Sequence, residues 1–296
     1  MSDVSETAMT KPGIAPSSKS ASAGSVPARR RRRRNALDST LGRSALQIAA
    51  VVGFFLLWEL AVDVGWANAF LVGKPSGIIS VLVSSIADGS LFVDTGYTVF
   101  EALLGFAFGT VIGSLIGLAL WYSVFVARLT EPFIAAINSV PKIALAPIII
   151  LWFGTGLTSK VALAVSLTAI VALITAYQAA KDADKDLQAL LFSMGADKHR
   201  IFKRVIVPST LPAIIATFRI NIGFALVGAV VGEFISSQHG LGHLIYTASS
   251  LYDLNSVWAG LFVLMLVGFV FYHMVELTER WLLPWKQEQH STQINV

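Results

Sequence analysis

Windows of about twenty mostly apolar residues recur along this chain, near Ala45 to Asp63, Tyr97 to Trp121, Phe125 to Phe153, Lys160 to Ala180, Leu211 to Ile235 and Val257 to Trp281. A helix of that length crosses roughly 30 Å of hydrocarbon, so the pattern predicts an all-α, polytopic membrane protein of about six transmembrane helices. The third window is long and interrupted by Pro132, Pro141 and Pro147. It reads as one kinked helix or as two pieces, and its freed carbonyls require burial against protein rather than lipid.

Between the fourth and fifth windows the pattern changes. Asp184 to Met194 places Leu187, Leu190, Leu191 and Met194 at helical spacing, with Gly195 where a C-terminal cap glycine belongs. A second short helix is expected to begin at Asp197, to carry Ile201, Phe202 and Val205 on one side among Lys198, Arg200, Lys203 and Arg204, and to be stopped by Pro208. Two short amphipathic helices meeting at a glycine make a compact knob with an apolar patch, a surface that takes a protein partner.

Composition narrows the class. With 55% hydrophobic and 14% charged residues, the chain has far more apolar surface than one soluble core needs. The absence of cysteine excludes disulfides, thiolate metal sites and cysteine nucleophiles. Nine of the 22 Lys and Arg residues precede residue 45, six of them in the run Arg29 to Arg34. Residues 1–44 read as a disordered basic cytoplasmic tail, 45–283 as the transmembrane domain and 284–296 as a cytoplasmic C-terminal tail. The arginine run suits anionic lipid or nucleic acid, but its simplest role is to hold the N-terminus inside, and no nucleic-acid partner is expected. Six Lys or Arg residues lie in 181–210, none in 236–256 and only Lys74 in 64–96. That asymmetry predicts cytoplasmic termini and a cytoplasmic knob.

The knob carries a resemblance. It is similar to the coupling loop of permease subunits from ATP-binding-cassette importers, whose pattern is EAA, three residues, Gly, nine residues, then I-x-L-P. Gly195 takes the glycine and Val205, Val207 and Pro208 the final positions, while Ala189, Leu190 and Leu191 stand where EAA would, without its glutamate. PKIALAPIIILWFGTGLTSK (Pro141 to Lys160), GEFISSQHGLGHLIYTA (Gly232 to Ala248), VGKPSGIISVL and FEALLGFAFGTVIG resemble stretches of the nitrate, sulfonate and taurine importer permeases, over about residues 46 to 283. The resemblance implies a bacterial inner-membrane permease whose partners are a second permease copy, two ATPase subunits, an extracytoplasmic solute-binding protein and the lipid bilayer. It implies ATPase coupling through Ala189, Leu190, Leu191, Gly195, Ala196, Ile201, Phe202, Val205, Val207 and Pro208, and binding-protein contact at Gly240, Leu241 and Gly242. The solute expected is a small anion such as nitrate, a sulfonate, taurine or an aromatic acid.

No cofactor is expected in the chain itself, ATP and Mg²⁺ belonging to the partner ATPase. GTGLTSK (Gly154 to Lys160) lacks the G-K-[ST] ending of a phosphate loop, and no catalytic set appears, so the chain does not read as an enzyme. Asn138, Pro141, Arg219 and Glu233 are candidates for lining or gating a pathway, since polar groups in a membrane need a partner or water. For Arg219 pairing with a coupling-loop or membrane-end carboxylate is the competing role, and for Glu233 the capping of backbone amides. Glu59, Glu101 and Glu131 read as interfacial or packing residues near span ends. Gly105, Gly109, Gly113 and Gly117 form a flat face for packing within the subunit or across a dimer seam. His239 and His243 do not read as a metal pair, because Gly240 and Gly242 intervene, and no metal site is expected. An ion-coupled secondary transporter is the alternative class, although it calls for mid-membrane carboxylates and repeated halves.

Overall fold

The computed structural model describes residues 40–284. The readings of the arginine run and of residues 285–296 therefore lie outside the described residues. Twelve α-helices follow in order: α1 (Thr40–Asp63), α2 (Ala69–Val72), α3 (Pro75–Ala87), α4 (Ser90–Leu120), α5 (Val124–Ser139), α6 (Ala146–Phe153), α7 (Leu157–Lys181), α8 (Lys185–Ser193), α9 (Lys198–Ile201), α10 (Val207–Ser236), α11 (Leu241–Ser250) and α12 (Leu254–Leu282). The chain divides into one unit up to Val52, represented here by the opening of α1, and a second from Gly53 onward, which carries everything below.

Five helical stretches are long and apolar enough to cross a membrane, and the broken pair α5 and α6 brings the number to six among the described residues. The break is a bend of 87°. Pro141 precedes a 3₁₀ turn over Lys142–Leu145, and Pro147 sits in the first turn of α6, where its missing N–H costs no helical bond. The interrupted window is thus two pieces. Its burial is partial: Asn138, Pro141 and most of α5 are exposed in the single chain.

The centre is a tight packing of α4, α7 and α10. Gly105, Gly109, Gly113 and Gly117 on α4 face Ala164, Thr168, Ala169 and Leu173 on α7, so closely that a Cβ at any of the four would overlap the partner helix. The glycine face is therefore an intrasubunit seam. Thr168 uses the approach to donate from its hydroxyl to the Gly105 carbonyl at 3.2 Å. On α10, Gly228 lies against the Ala164 backbone, where an added Cβ would fall 2.5 Å from Cα, and Asn221 Nδ2 donates to Thr110 Oγ1 at 2.9 Å. α12 closes the side of α10 and α11 through Val267, Phe271 and Val275, which pack with Ile222, Ala229 and Leu241.

Two boundaries differ from the sequence expectation. α4 begins at Ser90, seven residues before Tyr97, with Gly89 at its N-cap in a left-handed conformation and the Asp88 side chain accepting the Ser90 N–H at 2.9 Å. Glu101 consequently lies three turns inside a helix and not near its end. Pro208 does not stop the second short helix. A π turn over Phe202–Ile206 joins α9 to α10 in one 39-residue helical run, with the Val207 N–H reaching back to the Phe202 carbonyl. The widened turn leaves Pro208 in the opening turn of α10, where a missing N–H is tolerated.

Candidate functional site

The two ends of the bundle are built on opposite principles. At the end carrying residues 182–206, here the loop end, α8 is capped by Asp184, whose side chain accepts the Asp186 and Leu187 N–H groups at 2.8 and 3.1 Å. Gly195 ends it at φ +80°, a left-handed conformation that side chains disfavour, and Asp197 then caps α9 by accepting from Arg200 N at 3.2 Å. The helix, glycine and cap all fall where the sequence placed them.

The knob is stapled to the bundle by one set of side chains and shows another. Leu191 and Phe202 pack with Ala180, Ala183, Val205, Ile206, Leu118 and Trp121. The Phe202 ring lies 4.6 Å from that of Tyr122 and 5.7 Å from that of Trp121. Lys198 donates to the Tyr122 carbonyl at 2.5 Å and sits over the Trp121 ring, while His199 Nδ1 meets the Tyr122 hydroxyl at 3.2 Å. Ile201 and Val205 are buried, Ala196 and Val207 half-buried. Facing away are Leu190 at 55%, Phe192 at 73% and Met194 at 73% exposure, with Leu187, Ala189, Gly195 and Pro208 also exposed. The apolar stripe of α8 thus divides, with Leu191 turned inward and Leu187, Leu190 and Met194 outward.

At the far end the interior is charged. α11 starts at Gly240, and its first N–H groups point into the bundle rather than to solvent. Asp94 Oδ1 accepts from Gly240 N at 2.8 Å, Thr98 Oγ1 from Leu241 N at 2.8 Å, and Glu233 Oε2 from Gly242 N at 2.6 Å. These are donors that a helix start leaves without intrahelical partners, and two carboxyl groups at that positive pole satisfy them. The Thr98 hydroxyl donates to Glu233 Oε1 at 2.7 Å. Gly240, at φ +112°, has no room for a Cβ beside the Glu233 carboxylate, and Gly242 presses on the Val230 carbonyl. The G-E and G-L-G stretches are therefore one capping device.

This corrects two expectations. Gly240, Leu241 and Gly242 are buried and present no surface to a binding protein, because their amides serve the interior. Glu233 is 0% exposed and lines no open pathway, its carboxylate being taken up by Thr98 and Gly242. Beside it Lys160 Nζ, also buried, pairs with Glu101 Oε1 at 3.1 Å and donates to Ser237 Oγ at 2.8 Å. Gly232 admits the lysine stem, since a Cβ there would meet Lys160 Cα at 3.1 Å. The sequence reading did not bring Lys160 and Glu101 together: Lys160 opened the fourth window and Glu101 was taken as an interfacial or packing residue. The start signal at Asp88 to Ser90 would have drawn Glu101 into the span.

The remaining candidates separate. Arg219 pairs with Glu279 at 2.8 Å, meets the Tyr272 hydroxyl at 3.4 Å and lies over its ring, so it takes its competing role at the membrane end. Asn138 accepts from Lys142 Nζ at 3.4 Å and borders a cavity of about 270 Å³ between α5 and α7, with Glu131, Tyr177 and Lys181. Pro141 stands at the bend above it. His239 stacks on Tyr97 outside α11, and His243 lies inside that helix with Nε2 3.4 Å from Thr247 Oγ1, so the two are not paired on one helix face although both border the same far-end cavity.

Residues 109–284 match the family described as binding-protein-dependent transport system inner membrane component. The chain is 32% identical over 240 residues to the formylaminopyrimidine transport permease protein ThiX of Halalkalibacterium halodurans, covering 80% of this chain and 95% of that one. It is 32% identical to the riboflavin transport system permease protein RibX of Chloroflexus aurantiacus, over 78% of this chain and 86% of the relative. It is 29% identical to SsuC of Escherichia coli, named for aliphatic sulfonates transport, over 83% and 93%. Its fold is shared with the inward-facing MetNI methionine ABC transporter at a TM-score of 0.56 and 18% identity, over 63% of this chain and 93% of that one. A capped knob at one end of a multi-pass bundle, extended family coverage and permease relatives lead to one conclusion: the chain belongs to the binding-protein-dependent transport system inner membrane component family, and is a permease subunit of an ATP-binding-cassette transporter.

Proposed function

We propose that this chain forms the translocation pathway of an importer, as one of two permease copies, with ATPase subunits docked on the knob and a solute-binding protein at the far end. The termini and the loop end are cytoplasmic in this reading. ATP and Mg²⁺ bind to the partner ATPase, and the solute is a small polar molecule of the kinds for which the relatives are named. The observation that carries the reading is the division of the knob into anchored and outward side chains. An anchored Phe202 and Leu191 transmit force to α4, α7 and α10, while the outward apolar face offers a dry seat for the ATPase.

The test is a double substitution, Phe192→Asp with Met194→Asp, in the full chain. Both side chains are exposed, so folding should change by no more than about 0.5 kcal/mol. ATPase co-purification and ATP-driven uptake are expected to fall at least tenfold. Retention of both at wild-type levels refutes the reading, and uptake that follows a proton gradient without any ATPase supports the secondary carrier instead.

A further inference from the structure

Beside the capping cluster lies a far-end cavity of about 610 Å³, inside the range of small-molecule sites. Its walls hold two ring pairs. Tyr97 and His239 stack nearly parallel, with centroids 5.0 Å apart and planes 13° from each other, and Phe234 and Tyr246 lie 6.4 Å apart. Lys160 also lines the cavity while being only 6% exposed. An ammonium carries three N–H donors, and those of Lys160 to Glu101 and Ser237 account for two, which leaves one for an acceptor in the cavity. Gln238 and Thr247 add amide and hydroxyl groups at the rim.

The charge balance selects among guests. Behind the wall stand the carboxyl groups of Asp94, Glu101 and Glu233, and Lys160, the one ammonium among the described lining residues, is already matched by Glu101. An anionic guest would face those carboxyl groups and find no unmatched lysine or arginine on the walls. A flat neutral ring can stack on these aromatic faces and supply a carbonyl or ring nitrogen to the last lysine N–H.

Resting on the importer reading, we infer that this cavity is a solute subsite for a neutral nitrogen heteroaromatic ring, stacked on the Tyr97 and His239 pair and hydrogen-bonded to Lys160. The subsite belongs to a single permease chain. Its walls come from α4, α7, α10 and α11, and the α11 cap holds them in register. Solutes reaching the far end would be oriented there before entering the pathway.

Equilibrium dialysis of the full chain in lipid nanodiscs tests this, with labelled cytosine as the ring probe and labelled ethanesulfonate as the anionic one. Cytosine is expected to bind, and ethanesulfonate to bind at least tenfold more weakly. Tyr97→Ala and Gln238→Ala lie at the rim and leave the ion pair intact, and the first should weaken cytosine at least tenfold. Lys160→Gln is informative only if its melting profile stays cooperative, which is why the rim variants decide. No cytosine binding, equal binding of the two probes, or binding indifferent to Tyr97→Ala overturns the proposal. Crosslinking of a binding-protein segment into the cavity through Gln238→Cys, with no probe bound, assigns the space to that partner and also overturns it. If the ATPase still co-purifies when cytosine fails to bind, only the subsite falls. If cytosine binds but no ATPase associates, the importer reading falls and the cavity stands.

Discussion

The far end and the loop end solve opposite problems with similar short helices. α11 at the far end turns its N-terminal amides inward, where Asp94, Thr98 and Glu233 from two other helices satisfy them, and its Leu241 is completely buried. α8 at the loop end is capped locally by Asp184 and turns Leu190, Phe192 and Met194 outward. A helix capped by distant residues is fixed to the bundle, whereas a helix capped by its own neighbour can keep its shape while moving with a partner. The difference teaches that polar residues inside this membrane protein are not in themselves pathway residues: most complete a backbone that lacks water.

The largest effect should come from removing one charge at the far end. Lys160→Met leaves Glu101 buried without its counter-ion, a loss of about 3–5 kcal/mol. Thermal unfolding in nanodiscs should show it, and adding Glu101→Gln should restore part of the loss, because the double variant no longer leaves the Glu101 carboxylate without its counter-ion. Equal stability of wild type and Lys160→Met would dissolve the contrast between a charged interior at one end and an apolar surface at the other.

Next in size is the seam between the two ends. Gly113 faces the Ala169 backbone, so Gly113→Leu forces α4 and α7 apart at a cost of about 1–3 kcal/mol or more. Gly223→Leu on α10 has open space and serves as the matched control, with no comparable loss of stability. Lower yield and melting temperature in the first variant alone would show that the seam joins the ends within one subunit. Equal behaviour of the two variants would remove that assignment.

Much of the loop end could be read from the sequence because its signals are local. Asp184, Gly195 and Asp197 cap, end and restart helices through bonds to residues within five positions, and spacing alone reveals such contacts. The continuous helix through Pro208 was hidden, since a π turn has no comparable residue signature. The far end was harder to read for a physical reason. Gly240 bonds to Asp94 and Lys160 to Glu101, partners 146 and 59 positions away (160 − 101 = 59), and nothing in the spacing of GEFISSQHGLG shows that its amides face inward. Exposed glycines in a far-end loop and buried ones under a short helix look alike in one sequence. The spans themselves were legible except at Ser90, where a capping turn preceded the apolar run.

The smallest effect is expected at the end of the first span, at the clasp that Lys74, outside the spans, makes with Asp63 at 2.7 Å and Glu59 at 3.2 Å. The Asp63 carboxylate, followed by that of Glu59, raises the Lys74 pKa above its ordinary value. A raised folded-state pKa gives stability that is fully present below the unfolded lysine pKa and is lost as pH rises through the folded value. Because the pairs are solvated, Lys74→Gln should lower the melting temperature only slightly near neutral pH. The gap between wild type and variant should then close in strongly alkaline buffer, as the wild-type ammonium loses its proton and the clasp becomes as neutral as its replacement. A gap that persists there would trace the loss to side-chain packing, and Lys74 would join the far end's shape-determined contacts rather than its charge-determined ones.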